Sequence, residues 1–262
     1  MGKQLIYIQV TPIGGLFMPE ERAQNDHFLF YTTEVSENRV VLDKGETRHL
    51  NSVLRIEEGD VICVTSGSGT VFRCRIESLG RNGCECVIVD RTPQPCPNAE
   101  LDFYLGLPDK KPFERAIEML IPLAVRSITP VVCEYCQNQW WSQRWENRRE
   151  RFERKMVAAA KQSWNTHLPR LHEPVSFGAA MEGDGPLLYA HPRGDTMETW
   201  GGMINGADSC SCFVGPPGGF SPGELEAFRD AGAAAVWLSP HRLRTEHAAA
   251  AMAVVLRQAT EQ

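Results

Sequence analysis

A glycine- and proline-rich segment between Phe213 and Glu224 carries the first pattern with chemical potential. Its sequence, FVGPPGGFSPGE, predicts a strand, a loop and a helix that begins near Ser221. Ser221 suits the N-cap, Pro222 suits the first helical position, and Glu224 completes a capping box. Glycines in such a loop let backbone N–H and C=O groups approach a ligand closely. Because ligands bind beyond the carboxyl ends of strands in open α/β sheets, this loop is a candidate binding site.

The loop does not match two common nucleotide-binding motifs. It lacks the Gly-Lys-Ser/Thr ending of a phosphate-binding loop, and it does not read Gly-x-Gly-x-x-Gly. We therefore predict neither ATP nor NAD at this position. The alternative interpretation is an ordinary tight turn between a strand and a helix.

A second strand-to-helix loop lies between Val236 and Glu246, in the sequence VWLSPHRLRTE. Thr245 is the predicted N-cap of the helix that follows it. Two such loops at successive strand ends can face each other across one pocket. Arg242 and Arg244 alternate along this loop, so one of them can point inward while the other meets solvent. The alternative for either arginine is a solvated side chain.

Strand-like and helix-like segments alternate throughout the chain after residue 98. Strands are predicted over 101–107, 128–133, 186–189, 212–214 and 235–238, and helices over 113–123, 148–163, 222–231 and 246–257. This alternation is typical of a mostly parallel sheet with helices on both faces. Both candidate loops would then lie at the carboxyl edge of that sheet.

Short strands separated by turns are predicted between residues 28 and 89. Runs rich in β-branched residues lie at 40–42, 61–64, 71–76 and 84–89, and an apolar helical pattern covers 46–55. Several short strands at this spacing predict a small β-barrel. Three prolines within 91–98 predict a stiff linker. The predicted division is an irregular extension over 1–26, a barrel domain over 27–92 and an α/β domain over 98–262.

Net charge and the distribution of apolar residues limit how this chain can contact nucleic acids and membranes. The 262 residues carry a net charge of −6, so contact with nucleic acid must come from local basic patches and not from the whole surface. The chain has no apolar run of about eighteen residues that would cross a membrane. Its N-terminal apolar run lacks a small-residue cleavage site. We therefore predict a cytoplasmic protein that does not contact a membrane.

Nine cysteines raise the alternatives of disulfides or a zinc site. Cys133 and Cys136 form the one Cys-x-x-Cys pair in the sequence. A four-ligand zinc site usually combines two such pairs, or one pair with two histidines. We predict reduced, partly buried thiols and no metal.

The two loops together resemble the signature of a known family. GPPGGFS followed by LSPHRLRTE is similar to the paired motifs of the SPOUT methyltransferases of the RsmE type, which methylate N3 of a uridine in 16S ribosomal RNA. Upstream, HLNSVLR at 49–55 resembles the family's His-Leu-x-x-Val-Leu-Arg, and QS at 162–163 resembles part of its Glu-Gln-Ser-Gly-Arg loop. The resemblance covers roughly residue 28 to the C-terminus.

The resemblance implies an α/β fold class: a C-terminal SPOUT domain with a deep trefoil knot, preceded by a PUA-like β-barrel that contacts RNA. It implies S-adenosylmethionine as cofactor, a homodimer, and 16S ribosomal RNA of the small subunit as partner. The residues implied to contact the cofactor are His191, Val214, Gly215, Pro216, Gly218, Gly219, Leu238, Ser239, Pro240, Leu243, Arg244 and Thr245.

Catalysis at uridine N3 requires positioning and loss of the N3 proton. A nearby cation would favour the resulting anion, and Arg244 is the candidate for that role. Glu246 and His241 are weaker acid–base candidates, and the alternative for Glu246 is a helix-start carboxylate that the helix dipole favours.

Arg48, His49, Arg55, Asn165 and His167 are implied to contact RNA. A second basic segment, 143–155, interleaves arginines with glutamates. A solvated, salt-bridged helix explains that segment at least as well as RNA binding does.

The chain departs from the family pattern at several positions. Pro122 and Ala124 replace Glu and Gly, Ser239 replaces Gly, and His241 and Arg242 replace Arg and Ile. Pro217 stands where the family has Glu, and Lys161, Trp164, Asn165 and His167 replace Glu, Gly, Arg and Arg. Three functions stay open on the sequence: the uridine N3-methyltransferase, a SPOUT methyltransferase with another RNA target, and a catalytically silent RNA-binding or ribosome-assembly protein.

Overall fold

The computed structural model describes residues 28–260 except 82, 98, 138, 139, 143, 144 and 184, and it gives only the backbone of 52 and 53. The predicted irregular extension over 1–26 lies outside the described residues. Among the described residues, no helix combines the length and apolar character needed to cross a membrane.

Six strands form the N-terminal sheet: β1 (Leu29–Tyr31), β2 (Glu34–Val35), β3 (Arg39–Leu42), β4 (Val61–Thr65), β5 (Thr70–Leu79) and β6 (Cys84–Pro93). Their order is β1-β4-β5-β6-β3-β2, and only the β1–β4 pair is parallel among these described strands. Two register shifts bend the long β5–β6 hairpin. The sheet curls around a core that includes Phe30, Leu42, Leu50 and Ile62. The four predicted strands are confirmed, and closure into a complete barrel stays a prediction.

The helix predicted over 46–55 is confirmed, with a change of geometry along it. Helix α1 (Lys44–His49) begins after Asp43, whose carboxylate accepts a 2.8 Å hydrogen bond from the Glu46 N–H. A π-helical turn, Leu50–Leu54, continues it and ends where Arg55 takes a left-handed conformation with φ of 53°. The turn places Leu50 in the core and leaves Arg48 and Arg55 exposed.

Seven strands form the C-terminal sheet: β7 (Glu100–Gly106), β8 (Ser127–Val132), β9 (Arg170–Leu171), β10 (Val175–Ser176), β11 (Leu187–Asp195), β12 (Ser209–Val214) and β13 (Ala234–Val236). The order is β10-β8-β7-β12-β11-β13, with β9 also paired to β8, and all of these pairs are parallel. The predicted parallel sheet is therefore confirmed.

Helices cover both faces of this sheet, as predicted. They are α2 (Lys110–Leu120) with a 3-10 turn over Ile121–Leu123, α3 (Trp145–Ser163), α4 (Phe177–Ala180), α5 (Met197–Ile204), α6 (Pro222–Asp230) and α7 (Thr245–Thr260). Alternation along β7 sends Phe103 into the larger core with α2, α3 and α7. Tyr104 faces the opposite side, where it stacks on Phe213 at 4.6 Å between ring centroids. Phe228 of α6 packs against that second face.

The predicted linker at 91–98 begins later than expected. Strand β6 continues to Pro93, which pairs with Thr70 at the end of the ladder, where a proline is tolerated. The two domains are joined between the β4–β5 turn and the segment before β9. Two backbone hydrogen bonds of 2.9 Å connect them, from the Gly69 N–H to the Thr166 carbonyl and from the Leu168 N–H to the Gly67 carbonyl. Lys161 of α3 also forms a 2.5 Å ion pair with Glu46 of α1.

Candidate functional site

A cavity of about 550 Å³ lies at the carboxyl edge of the parallel sheet. The loop after β12 (residues 215–221, the glycine loop) and the loop after β13 (residues 237–244, the second loop) form two of its walls. Strand β11 lies between β12 and β13 in the sheet and supplies the third wall through Ala190, His191 and Pro192. The two loops face each other, as their positions at strand ends predict.

Every residue predicted to contact the cofactor lines this cavity except Arg244, whose side chain is exposed beside it. Further lining residues that the sequence did not single out as cofactor contacts are Ala190, Pro192, Pro217, Phe220, Trp237, His241, Arg242 and Ala248. Trp237 and Arg242 could have been included, because they lie within the second motif. Ala190 and Pro192 lie outside both motifs, so no sequence pattern identifies them as cofactor contacts.

The glycine loop is fixed by the helix that follows it. Ser221 accepts a hydrogen bond from the Glu224 N–H at 3.3 Å, and Glu224 accepts one from the Ser221 N–H at 2.8 Å. The predicted capping box is therefore confirmed. Within the loop, the Gly219 N–H donates to the Pro216 carbonyl at 2.8 Å, and Gly219 has a φ of 78° that favours glycine.

The second loop is tied directly to the glycine loop. Thr245 Oγ1 donates to the Gly215 carbonyl at 3.0 Å, and Arg242 Nη2 donates to the Pro217 carbonyl at 2.5 Å. Thr245 was expected to be the N-cap of α7, but it is the first helical residue and its hydroxyl reaches across to the other loop. The cavity thus depends on contacts between residues far apart in sequence.

The cavity suits an amphipathic, adenosine-sized ligand. Its volume falls within the range of small-molecule sites, about 300–1,000 Å³. Apolar walls from Phe220, Trp237, Leu238 and Leu243 can cover a flat ring, and the loops offer backbone N–H and C=O groups. The described residues that line the cavity include no Asp or Glu, and Arg242 is the one arginine among them. Arg242 can pair with the carboxylate of an amino-acid group.

His191 contributes an uncharged ring to the cavity at neutral pH. Partial burial lowers the pKa of His191 below its ordinary value, and the neighbouring Arg193 adds to this effect. Nδ1 of His191 lies 3.1 Å from the Arg193 N–H and accepts its hydrogen bond, which requires that nitrogen to be unprotonated. A neutral imidazole does not repel a cationic ligand.

The two predicted catalytic residues lie in different environments. Arg244 is exposed, between Leu243 and Thr245, which both line the cavity. Glu246 is only 2% exposed and does not line the cavity. Its Oε1 lies 4.0 Å from Nη1 of Arg115 on α2. The Arg244 side chain therefore faces solvent beside the cavity, whereas Glu246 is directed toward the packing between α2 and α7.

The predicted RNA contacts divide into two groups. Arg48 and Arg55 are exposed on the N-terminal domain, and His49 is partly buried near the ring of Phe30. Asn165 and His167 instead join structural elements. The Asn165 side chain donates to the Ile121 carbonyl at 2.7 Å and accepts from the His167 N–H at 2.9 Å.

His167 lies at the contact between the two domains. Its ring nitrogen Nε2 is 3.2 Å from the Gln94 carbonyl, and its backbone forms a bridge with Ser68. Contact of Asn165 and His167 with RNA stays a prediction.

Several cations of α3 form ion pairs. Arg149 pairs with Glu153 at 2.8 Å within the helix, and Arg151 pairs with Glu114 of α2 at 2.8 Å. Lys155 pairs with Glu118 at 2.5 Å. These contacts favour the salt-bridged interpretation of the basic segment over an RNA-binding one.

Cys133 and Cys136 lie in a turn after β8. The Cys133 N–H donates to the Cys136 sulfur at 3.3 Å, and all nine cysteines are outside disulfide bonds. The hydrogen bond from Cys136, together with burial, raises the pKa of the Cys133 thiol. Within the described part of the chain, no group of three His, Cys, Asp or Glu side chains is arranged to hold a metal.

Comparison with protein families gives two matches along the chain. Residues 42–89 match an RNA methyltransferase PUA domain, and residues 94–257 match an RNA methyltransferase domain. Ribosomal RNA small subunit methyltransferase E of Mycobacterium bovis is 30% identical over 237 residues, which cover 85% of this chain and 88% of that protein. The protein of the same name from Aquifex aeolicus is 25% identical over 236 residues, covering 87% and 98%.

Solved structures show the same fold. Ribosomal RNA small subunit methyltransferase E from Neisseria gonorrhoeae, bound to S-adenosyl methionine, superposes with a TM-score of 0.78 at 23% identity, over 89% of this chain and 98% of that one. A putative methyltransferase from Legionella pneumophila with bound cofactor gives 0.79 at 22% identity, over 88% and 97%. At these identities, the likeness concerns the fold.

Proposed function

This chain belongs to the ribosomal RNA small subunit methyltransferase E family, and from that premise we propose that it transfers a methyl group from S-adenosylmethionine to 16S ribosomal RNA. The observation that carries the proposal is the cavity between the glycine loop and the second loop. All the predicted cofactor residues except Arg244 line it, and it is closed by the Thr245–Gly215 hydrogen bond.

S-adenosylmethionine, when bound, supplies an electrophilic methyl group on its sulfonium. The residues of this chain bind and orient it. Gly218 and Leu238 line the cavity, and their backbone groups are proposed to meet the polar edges of the ligand. Arg242 is proposed to pair with its carboxylate through the guanidinium nitrogens that do not bond the Pro217 carbonyl. The neutral His191 and the absence of cationic side chains other than Arg242 among the described lining residues favour a sulfonium cation.

The proposed acceptor is N3 of a uridine, held unpaired at the mouth of the cavity. Arg244 is exposed next to two lining residues, and this placement supports its role in stabilising the N3 anion. Glu246 stays a weaker prediction, because its carboxylate is buried in the packing between α2 and α7. Arg48, His49 and Arg55 are proposed to contact RNA from the N-terminal domain, and Asn165 and His167 from the domain contact.

The remaining architecture is also part of the proposal. The domain division is 27–92 and 98–262, which the two family matches support. A deep trefoil knot is proposed for the C-terminal domain, and an experimental chain trace through 187–260 tests it.

A homodimer is supported by the apolar side chains of Met119 on α2 and Val254 on α7, which remain exposed on two helices that pack together. Light scattering measures its mass. Action on ribosomal RNA would place the protein in the cytoplasm.

Two measurements test the function. Calorimetry with S-adenosylmethionine measures cofactor binding, and nucleoside mass spectrometry measures methylation of small ribosomal subunits isolated from a strain lacking the homologous enzyme. N3-methyluridine in 16S RNA is the expected product. Methylation of a different nucleotide or RNA would indicate another target. A chain that does not bind the cofactor would be a silent RNA-binding homologue, which would overturn the proposal.

A further inference from the structure

The turn 133–136 is attached to the glycine loop through one carboxylate. The Cys136 N–H donates to the Cys133 carbonyl at 3.2 Å and closes the turn. The Glu134 N–H donates to Oε1 of Glu224 at 2.9 Å, while Oε2 of Glu224 accepts from the Ser221 N–H at 2.8 Å. Glu224 is buried. The turn and the cavity wall are therefore held in a fixed relationship.

Tyr135, at the tip of this turn, lies directly over Gly218. A Cβ built on Gly218 would lie 2.7 Å from Cβ of Tyr135 and 3.5 Å from its Cγ, so glycine is needed for the approach. Gly218 lines the cavity on its other side. The base of the Tyr135 side chain thus borders the cavity wall without being part of the lining.

The ring of Tyr135 is available to a partner. Tyr135 as a whole residue is 42% exposed. Its side chain makes no hydrogen bond, ion pair or ring contact with the other described residues. An exposed aromatic ring on a fixed backbone is a stacking surface for a nucleobase, because each base offers a flat π face. Single-stranded RNA bases are commonly recognised in this way.

We propose that Tyr135 is a positioning residue whose ring stacks on a base of the substrate RNA at the rim of the cavity. This inference rests on the proposed function. A base unpaired from its RNA loses its stacking neighbours, and an aromatic ring at the rim replaces part of that interaction. In this role Tyr135 holds the target nucleotide or its neighbour beside the methyl group without contacting the cofactor.

Three variants separate stacking from other roles. Tyr135→Phe keeps the ring, Tyr135→Leu keeps apolar bulk without a π face, and Tyr135→Ala removes both. The substrate is small ribosomal subunits from the strain lacking the homologous enzyme, with radiolabelled S-adenosylmethionine as donor. Loss of one stacking contact lowers kcat/KM for the subunits by about 5- to 150-fold. We expect this loss for the Leu and Ala variants, and a value close to wild type for Phe. Cofactor affinity by calorimetry should be unchanged in all three.

Other outcomes overturn the assignment. If the Leu variant methylates subunits as the wild type does, the ring has no positioning role. If kcat/KM falls as far in the Phe variant as in the Leu variant, Tyr135 acts through its hydroxyl and not through the π face of its ring. If cofactor affinity falls in parallel with methylation, Tyr135 only supports the glycine loop. A wild-type chain that binds the cofactor but leaves subunits unmethylated overturns the proposed function and this assignment together.

Discussion

The hydroxyl of Thr245 donates a 3.0 Å hydrogen bond to the carbonyl of Gly215, thirty residues earlier in the chain. Both residues line the cavity. The bond joins the start of α7 to the start of the glycine loop, so the two sequence motifs form one binding site. Strand β11 lies between the two strands that carry these loops, and the contact closes the cavity above it.

Replacing Thr245 with Val should destabilise the loops around the cavity and weaken cofactor binding. The substitution keeps the shape but leaves the half-buried Gly215 carbonyl without its donor, which costs about 0.5–1.5 kcal/mol, the net contribution of one hydrogen bond. We expect a lower free energy of unfolding in urea and roughly tenfold weaker S-adenosylmethionine binding. Thr245→Ser retains the hydroxyl and is the matched control, expected to bind the cofactor nearly as well as wild type. Equal affinity in the Val variant would show that the bond does not shape the site.

Strand β7 approaches the glycine loop most closely at Gly106, which lies against Pro216. A Cβ at this position would lie 2.4 Å from Cδ and 2.5 Å from the backbone nitrogen of Pro216. Gly106→Ala should therefore move the loop and destabilise the protein by about 1–3 kcal/mol, as overpacking does. The cofactor affinity should fall with it. Thermal unfolding and calorimetry measure the two effects.

Gly202→Ala is the control for this substitution. Gly202 lies in helix α5, and a Cβ there meets nothing within 4 Å. Alanine is the better helix former by about 0.5–1 kcal/mol, so this variant should match or exceed wild-type stability. If Gly106→Ala is as stable as Gly202→Ala and binds the cofactor normally, the contact with Pro216 is not limiting.

Substitutions of Arg242 and Arg244 should affect cofactor binding and methyl transfer differently. Arg242 lines the cavity and holds the Pro217 carbonyl at 2.5 Å, whereas Arg244 is exposed beside it. Arg242→Ala should weaken cofactor binding about 3- to 10-fold, the cost of about one exposed hydrogen bond. Arg244→Ala should lose methyl transfer while cofactor binding stays within a few fold. Parallel calorimetry and methylation assays compare the variants. Unchanged turnover in Arg244→Ala would remove it from the mechanism.

Local patterns in the sequence predicted those parts of the site that depend on local interactions. Ser221 and Glu224 are three residues apart, so their capping box is visible in the sequence. The bond from Thr245 to Gly215 and the approach of Tyr135 to Gly218 depend on the arrangement of strands. No periodicity encodes that arrangement. The motif resemblance implied the cofactor and the residues around it, but neither of these two contacts.

Some elements of the fold carry too little pattern for prediction. Strands β1, β2, β9 and β10 have two or three residues each, which is too short for an alternating pattern to appear. Helix α5 contains Gly201 and Gly202, which weaken a helical pattern. Asn165 was selected by its position in a resembling motif, yet its amide is engaged with the Ile121 carbonyl. Such bonding depends on the tertiary structure.

His191 should make stability depend on pH in the mildly acidic range. Burial lowers the pKa of the folded-state imidazole below its ordinary value, whereas the unfolded chain titrates near about 6.5. Above about pH 7.5 both states are neutral and His191 has no effect. As the pH falls through about 6.5, the unfolded chain binds the proton first, so stability falls with pH until the folded state also becomes protonated.

Substituting His191 by Gln should therefore reduce the loss of stability between about pH 7 and pH 5. His247→Gln is the control, because His247 is exposed on α7 and does not line the cavity. It should retain the wild-type pH dependence. Urea unfolding at a series of pH values measures both. The same protonation would place a cation in the wall beside a sulfonium, so wild-type cofactor affinity should also fall at acidic pH and the Gln variant should be less affected. Identical pH profiles for wild type and His191→Gln would contradict both effects.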